Sequence, residues 1–205
     1  MNKTLLVDTI TFDITPEMIN ESMEKNNGRL MVKGVLQRAE SKNQNGRVYP
    51  RNILMREAKK YADVNIKERR ALGELDHPDS SVVNLNNVSH NVVEMHWDGD
   101  DLVGTVEVLG TPSGNILKEL FKAGIKLGIS SRGLGSVKNL GENTVQVQDD
   151  FELIAFDFVS NPSTHGAFLK PVNESKQAGL LTQENKYVQI NKLITDILTD
   201  IKWKI

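Results

Sequence analysis

The spacing of apolar and polar positions changes period several times along the chain, and each change predicts an element. Leu30, Met31, Val32, Val35 and Leu36 concentrate the apolar content of residues 29–39, which reads as a strand. Over residues 50–62, Ile53, Leu54, Ala58 and Tyr61 recur at three- and four-residue intervals, which predicts a helix. Residues 88–97 and 102–109 are rich in β-branched side chains around Asp98-Gly99-Asp100-Asp101, the pattern of a hairpin. A short helix is expected over 111–123: Pro112 and Ser113 open it, Ile116, Leu117, Leu120 and Phe121 form its inner stripe, and Gly124 closes it. Residues 126–131, 144–147 and 151–159 read as three further strands. Nearer the start, Leu5 to Val7 is a short apolar run, and Thr15-Pro16-Glu17 combines a capping residue with a proline suited to the first helical position. Asn45-Gly46 is a strong turn dipeptide.

Strands dominate this pattern, helices are interspersed, and no regular βαβ alternation appears. The fold class is therefore α+β, a compact barrel or folded sheet with helices packed outside it. Residues 173–185 are polar and rich in Gln and Ser, as linkers are. Beyond them Tyr187, Ile190, Ile194, Ile197 and Ile201 repeat at helical spacing, with Leu193 and Leu198 widening the stripe. The expected organisation is one domain over residues 1–172, a linker over 173–185 and a C-terminal amphipathic helix over 186–205. That helix either docks on its own domain or serves self-association or a partner.

Composition narrows the function classes. Across 205 residues, 25 Lys and Arg stand against 27 Asp and Glu, a balance that gives no reason to expect specific nucleic-acid binding. With no cysteine, disulfides, thiolate metal sites and a cysteine nucleophile are excluded. No apolar run is long enough to span a bilayer, and the first ten residues lack the layout of a secretory signal. A soluble, cytoplasmic protein is expected.

Two segments could carry chemistry. In Gly73-Glu74-Leu75-Asp76-His77-Pro78 the proline biases His77 towards an extended conformation at a strand end. In Leu127 to Ser136, three glycines and three serines follow a strand directly, and a nucleophilic serine needs such close backbone for carbonyl approach and oxyanion donors. There is no Gly-Lys-Ser/Thr ending for a nucleotide P-loop. Arg132 stands where a Gly-x-Ser-x-Gly elbow would need glycine. Along the strand Leu127, Ile129 and Ser131 share one face, while Gly128 and Ser130 share the other. With the apolar face inward, Ser130 is preferred to Ser131 as nucleophile. A third group must orient the histidine, and Asp157, in an otherwise apolar strand, is a carboxylate that needs a partner if buried. Asp76 is the poorer choice, because neighbours in an extended chain point apart.

A competing constellation uses Glu74, Asp76, His77, His90, His96 and Asp98. Between Arg70 and Lys118 lie eight acids and no Lys or Arg, and His90 and His96 fall on one strand face with Glu94 between them. A hydrolytic metal site is conceivable there, although a solvated hairpin face has the same pattern.

The two segments resemble the signature segments of T4-type phage prohead core proteases. Asn45-Gly46-Arg47-Val48-Tyr49-Pro50 upstream, and Asp157 to Ser163 with its Asn161-Pro162-Ser163 ending, match in type and order. The resemblance runs from about Leu30 to Pro171. It implies a serine endopeptidase with an assemblin-like closed β-barrel surrounded by helices, in which His77 is general base, Ser130 nucleophile and Asp157 third member. It further implies no cofactor and no metal. The substrates would be phage scaffold or core proteins and the major capsid protein, cut after Glu inside the prohead in the host cytoplasm. Self-cleavage, near Glu174, and a homo-oligomeric state are further expectations, as are oxyanion donors from residues 161–166. A catalytically silent scaffold-binding protein on the same fold is the alternative.

Overall fold

The computed structural model describes residues 3–12, 16–78 and 80–160. Its first half runs β1 (Thr4–Phe12), α1 (Pro16–Lys25), β2 (Leu30–Arg38), β3 (Arg47–Val48), α2 (Arg51–Tyr61) and β4 (Leu72–Glu74). The second half runs β5 (Val88–Asp98), β6 (Asp101–Val108), α3 (Pro112–Lys122), β7 (Leu127–Gly135), β8 (Val137–Gly141), β9 (Thr144–Val147) and β10 (Glu152–Val159). The local signals behind most of these act as expected. Pro16 opens α1, the Thr111 hydroxyl accepts the Gly114 N–H at the start of α3, and Gly46 and Gly124 take positive φ at 73° and 72°. In α3 the inner stripe is narrower than expected: Leu117 and Phe121 are buried, but Ile116 is exposed.

The strands form three sheets, ordered β1-β7-β10, β2-β6-β5-β4 and β3-β9-β8. A closed barrel was expected; among the described residues no sheet closes. The hydrogen-bonded ladder breaks at two seams. At one, β4 meets β10 through a single bridge, Leu75 to Phe158. At the other, β1 and β2 lie side by side without a ladder. Side chains fill what hydrogen bonds leave open. Leu36, Val92, Val106, Leu117, Phe121, Ile129, Phe156 and Phe158 are buried in one cluster, with Phe121 edge-on to Phe158. Burying each such side chain contributes about 1.5–3 kcal/mol. A second cluster gathers Leu6, Tyr49, Ile53, Leu54, Val147 and Phe151.

The turn and strand at residues 45–49 have a specific task. Asn45 lies in the turn that Gly46 bends with its positive φ, and Arg47 and Tyr49 alternate along the extended segment that follows. All three donate to β1. Asn45 Nδ2 reaches the Val7 carbonyl at 2.7 Å and Asp8 Oδ1 at 2.9 Å, Arg47 Nη1 reaches the same carbonyl at 2.6 Å, and the Tyr49 hydroxyl donates to Asp8 Oδ2. Asp8 is buried, and a buried carboxylate persists only with such donors. The first strand is thereby held against β7, where Asp8 pairs with Ser131 and Thr9 with Ser130.

The linker over 173–185, the terminal helix over 186–205 and the proposed oxyanion segment 161–166 lie outside the described residues.

Candidate active site

Strand β4 delivers His77 by a short series of backbone contacts. After the Leu75 bridge, the Asp76 N–H donates to the Phe158 carbonyl at 2.8 Å, which fixes this segment to β10. Asp76 itself adopts φ 68°, a left-handed conformation that Asp tolerates better than most residues, and its Oδ1 accepts the His77 N–H at 2.9 Å. The chain turns there, Pro78 keeps His77 extended, and the imidazole Nδ1 comes to lie 3.3 Å from Asp157 Oδ2.

Strands β7 and β10 deliver the other groups. Their antiparallel register places Ser130 directly opposite Asp157, so both side chains leave the same face of the sheet. Arg132, two residues on, shares that face. Ser131 lies on the other, opposite Phe156, where its hydroxyl accepts from Gln37 Nε2 at 2.7 Å. Ser130 is fully buried, and its Oγ makes no hydrogen bond among the described residues. Both ring nitrogens of His77 are also screened from solvent without a completed hydrogen bond. Histidine and aspartate are thus brought together, with the serine across the strand pair from the aspartate and no hydrogen bond joining it to the imidazole.

Arg132 and Glu74 complete the cluster. Arg132 is fully buried, and its guanidinium grips both oxygens of Asp157, Nε to Oδ2 at 2.8 Å and Nη2 to Oδ1 at 3.1 Å. Such a fork matches carboxylate geometry and is strong when dry. The same Nη2 reaches Glu74 Oε1 at 3.1 Å, and Nη1 donates to the Ser80 carbonyl at 2.6 Å in the loop after His77. Glu74 is fully buried as well. Its N–H donates to Asp157 Oδ1 at 3.0 Å and its Oε1 accepts from the Asn84 N–H at 3.0 Å, while Oε2 has no partner among the described residues. Burial alone would raise the Asp157 pKa. The approach of His77, the charge of Arg132 and the Glu74 N–H outweigh it and hold the carboxyl below its usual value. Asp157 is therefore an ionised group aimed at an imidazole.

The metal-ligand constellation is not assembled. His90 is fully buried on the core side, its Nε2 donating to the Phe156 carbonyl at 2.9 Å and its Nδ1 2.9 Å from the Ser89 hydroxyl, so neither nitrogen is free to ligate. His96 is exposed further along β5, beyond a register shift between Val92 and Glu94. That irregularity breaks the simple alternation which would have put the two imidazoles on one face. No group of three or more potential ligands occurs among the described residues. Sequence reasoning missed Arg132, which it treated only as an interruption of a motif, and it took Glu74 only as a metal-ligand candidate.

Residues 13–177 match the family described as prohead core protein serine protease. The chain is 34% identical over 154 residues, 73% of each chain, to the prohead core protein protease of Enterobacteria phage T4. It is also similar to the solved structure of the bacteriophage T4 capsid assembly protease, with a TM-score of 0.70 and 30% identity over 78% of this chain and 99% of that one.

Proposed function

This chain belongs to the prohead core protein serine protease family, and from that premise we propose that it is a peptidase of phage capsid maturation with Ser130 as nucleophile, His77 as base and Asp157 as the group that orients the base. The observation that carries the assignment is the pairing of Ser130 with Asp157 across β7 and β10, with His77 Nδ1 3.3 Å from that same aspartate. Since Nδ1 faces Asp157, Nε2 is the nitrogen left for the serine proton.

In the proposed step Ser130 Oγ bonds to the scissile carbonyl carbon, the carbonyl π pair moves onto oxygen, and the Oγ proton passes to His77 Nε2. Collapse of the tetrahedral intermediate expels the amine, which takes that proton, and water then repeats the sequence to release the acyl group. Asp157 holds the ring and stabilises the imidazolium. No cofactor enters this scheme. The substrates we assign are phage scaffold or core proteins and the capsid protein, cut after Glu inside the prohead, with self-cleavage near Glu174. The burial of Ser130 supports a resting form that must open to admit substrate.

The test is co-expression of wild type, Ser130→Ala and Ser131→Ala with the scaffold protein, followed by intact-mass analysis. Cleavage should vanish in Ser130→Ala and survive in Ser131→Ala. Loss only in Ser131→Ala moves the nucleophile by one residue, and cleavage by both variants ends the serine assignment.

A further inference from the structure

We propose that Glu74 is a positioning residue for catalysis, supplying the negative charge that balances the His77 imidazolium, because Arg132 already matches the charge of Asp157. This rests on the serine reading above. The argument is one of charge and contact. Arg132 grips Asp157 through both carboxylate oxygens at 2.8 and 3.1 Å, so the aspartate faces the imidazole as half of a closed ion pair. Glu74 receives one contact from the same guanidinium, at 3.1 Å. Its Oε2 is buried without a donor among the described residues. Counted formally, two carboxylates and one guanidinium leave one negative charge in the buried group, and a proton on the imidazole cancels it. An unpaired buried carboxylate oxygen destabilises the resting protein, and its charge is matched when the ring takes the serine proton.

Other titratable groups beside His77 or Asp157 do not supply this charge. Asp76 precedes His77 on the same segment, is exposed, and turns its Oδ1 to the His77 N–H. Tyr61 of α2 and His90 of β5 both feel Asp157, yet both stay neutral near pH 7. Burial raises the Tyr61 phenol, and burial lowers the His90 imidazole to about 4.

Glu74→Gln is close to isosteric. Its amide oxygen can keep the Arg132 and Asn84 contacts, and its amide nitrogen takes the position that has no partner. Glu74→Asp keeps the charge and shortens the reach. Two measurements on the full-length chain read the effect. NMR follows the His77 ring resonances across pH, which needs no turnover, and a fluorophosphonate probe reports the labelling rate of the serine against pH. In Glu74→Gln the ring titration and the acidic limb of labelling should move to lower pH, with labelling at neutral pH slower by about tenfold. Glu74→Asp should keep both near wild type. A Glu74→Gln chain that titrates like wild type overturns the proposal, as does an equal loss in Glu74→Gln and Glu74→Asp. Labelling that persists in Ser130→Ala overturns the serine reading instead, and the ring titration still decides the role of Glu74.

Discussion

His90, one buried imidazole, gives the fold a pH limit of its own. Its ring donates to the Phe156 carbonyl, stacks edge-on to Phe158 and is held neutral, with burial lowering its pKa from 6.5 to about 4. The unfolded chain takes up a proton below about pH 6.5 that the folded ring refuses until about pH 4. Stability is therefore complete above the first value and is lost progressively towards the second, by on the order of 3 kcal/mol across the interval. Urea midpoints measured from pH 7 to 4.5 should fall accordingly, and His90→Gln should flatten the slope; a midpoint constant over that range would contradict the assignment. Arg132 shows the opposite kind of residue. Replacing it with Met would leave two buried carboxylates without their cation, a loss of about 3–5 kcal/mol that thermal denaturation would register as a large drop in Tm. Nothing in the local sequence marks Arg132 for this. An arginine beside a glycine reads as surface, and its two partners lie 25 and 58 positions away.

Among elements, those with a strong local period or a distinct stop were legible, and those defined by a distant partner were not. The hairpin of β5 and β6, the capped helix α3 and the apolar strand β10 follow from their own residues. β4 does not, since it spans three residues and exists because Gly73 allows close packing. A Cβ there would lie 2.0 Å from the Phe156 carbonyl oxygen and 2.2 Å from His90 Nε2. Gly73→Ala should therefore push β4 away from β10 and move His77 from Asp157, seen as lower stability together with loss of cleavage. A variant that is as stable and as active as wild type would show that the seam tolerates the methyl group. β8 also escaped notice, because residues 138–141 are exposed and no apolar alternation marks them. At the site, strand alternation made legible that Ser130 and Ser131 leave opposite faces, but not that both are buried. The Glu74–Arg132 network was not legible, since it is made between β4, β7 and β10.

The whole molecule depends on contacts that cross most of the described chain. β1 pairs with β7 over its full length, from Thr4 opposite Gly135 to Phe12 opposite Leu127, and the residues 45–49 segment grips Val7 and Asp8 of β1. Deleting residues 1–12 removes the ladder on one side of β7 and takes from Asn45, Arg47 and Tyr49 their acceptors on β1. Such a chain should lose its cooperative melt or its solubility, whereas a wild-type-like transition would show that the strand is dispensable. Such distant closure is also why the expected barrel was not realised as a continuous ladder: apolar patterning specifies which faces go inward, but not whether neighbouring edges bond. The same topology governs when the protein comes into being at the ribosome. Synthesis at about 5–20 residues per second keeps β1 waiting on the order of ten seconds before β7 emerges, and β10, with Asp157, comes later still. Until then Ser130 has no flanking strands and no Asp157 opposite it, so the proposed site is put together only after the nascent polypeptide has passed residue 159.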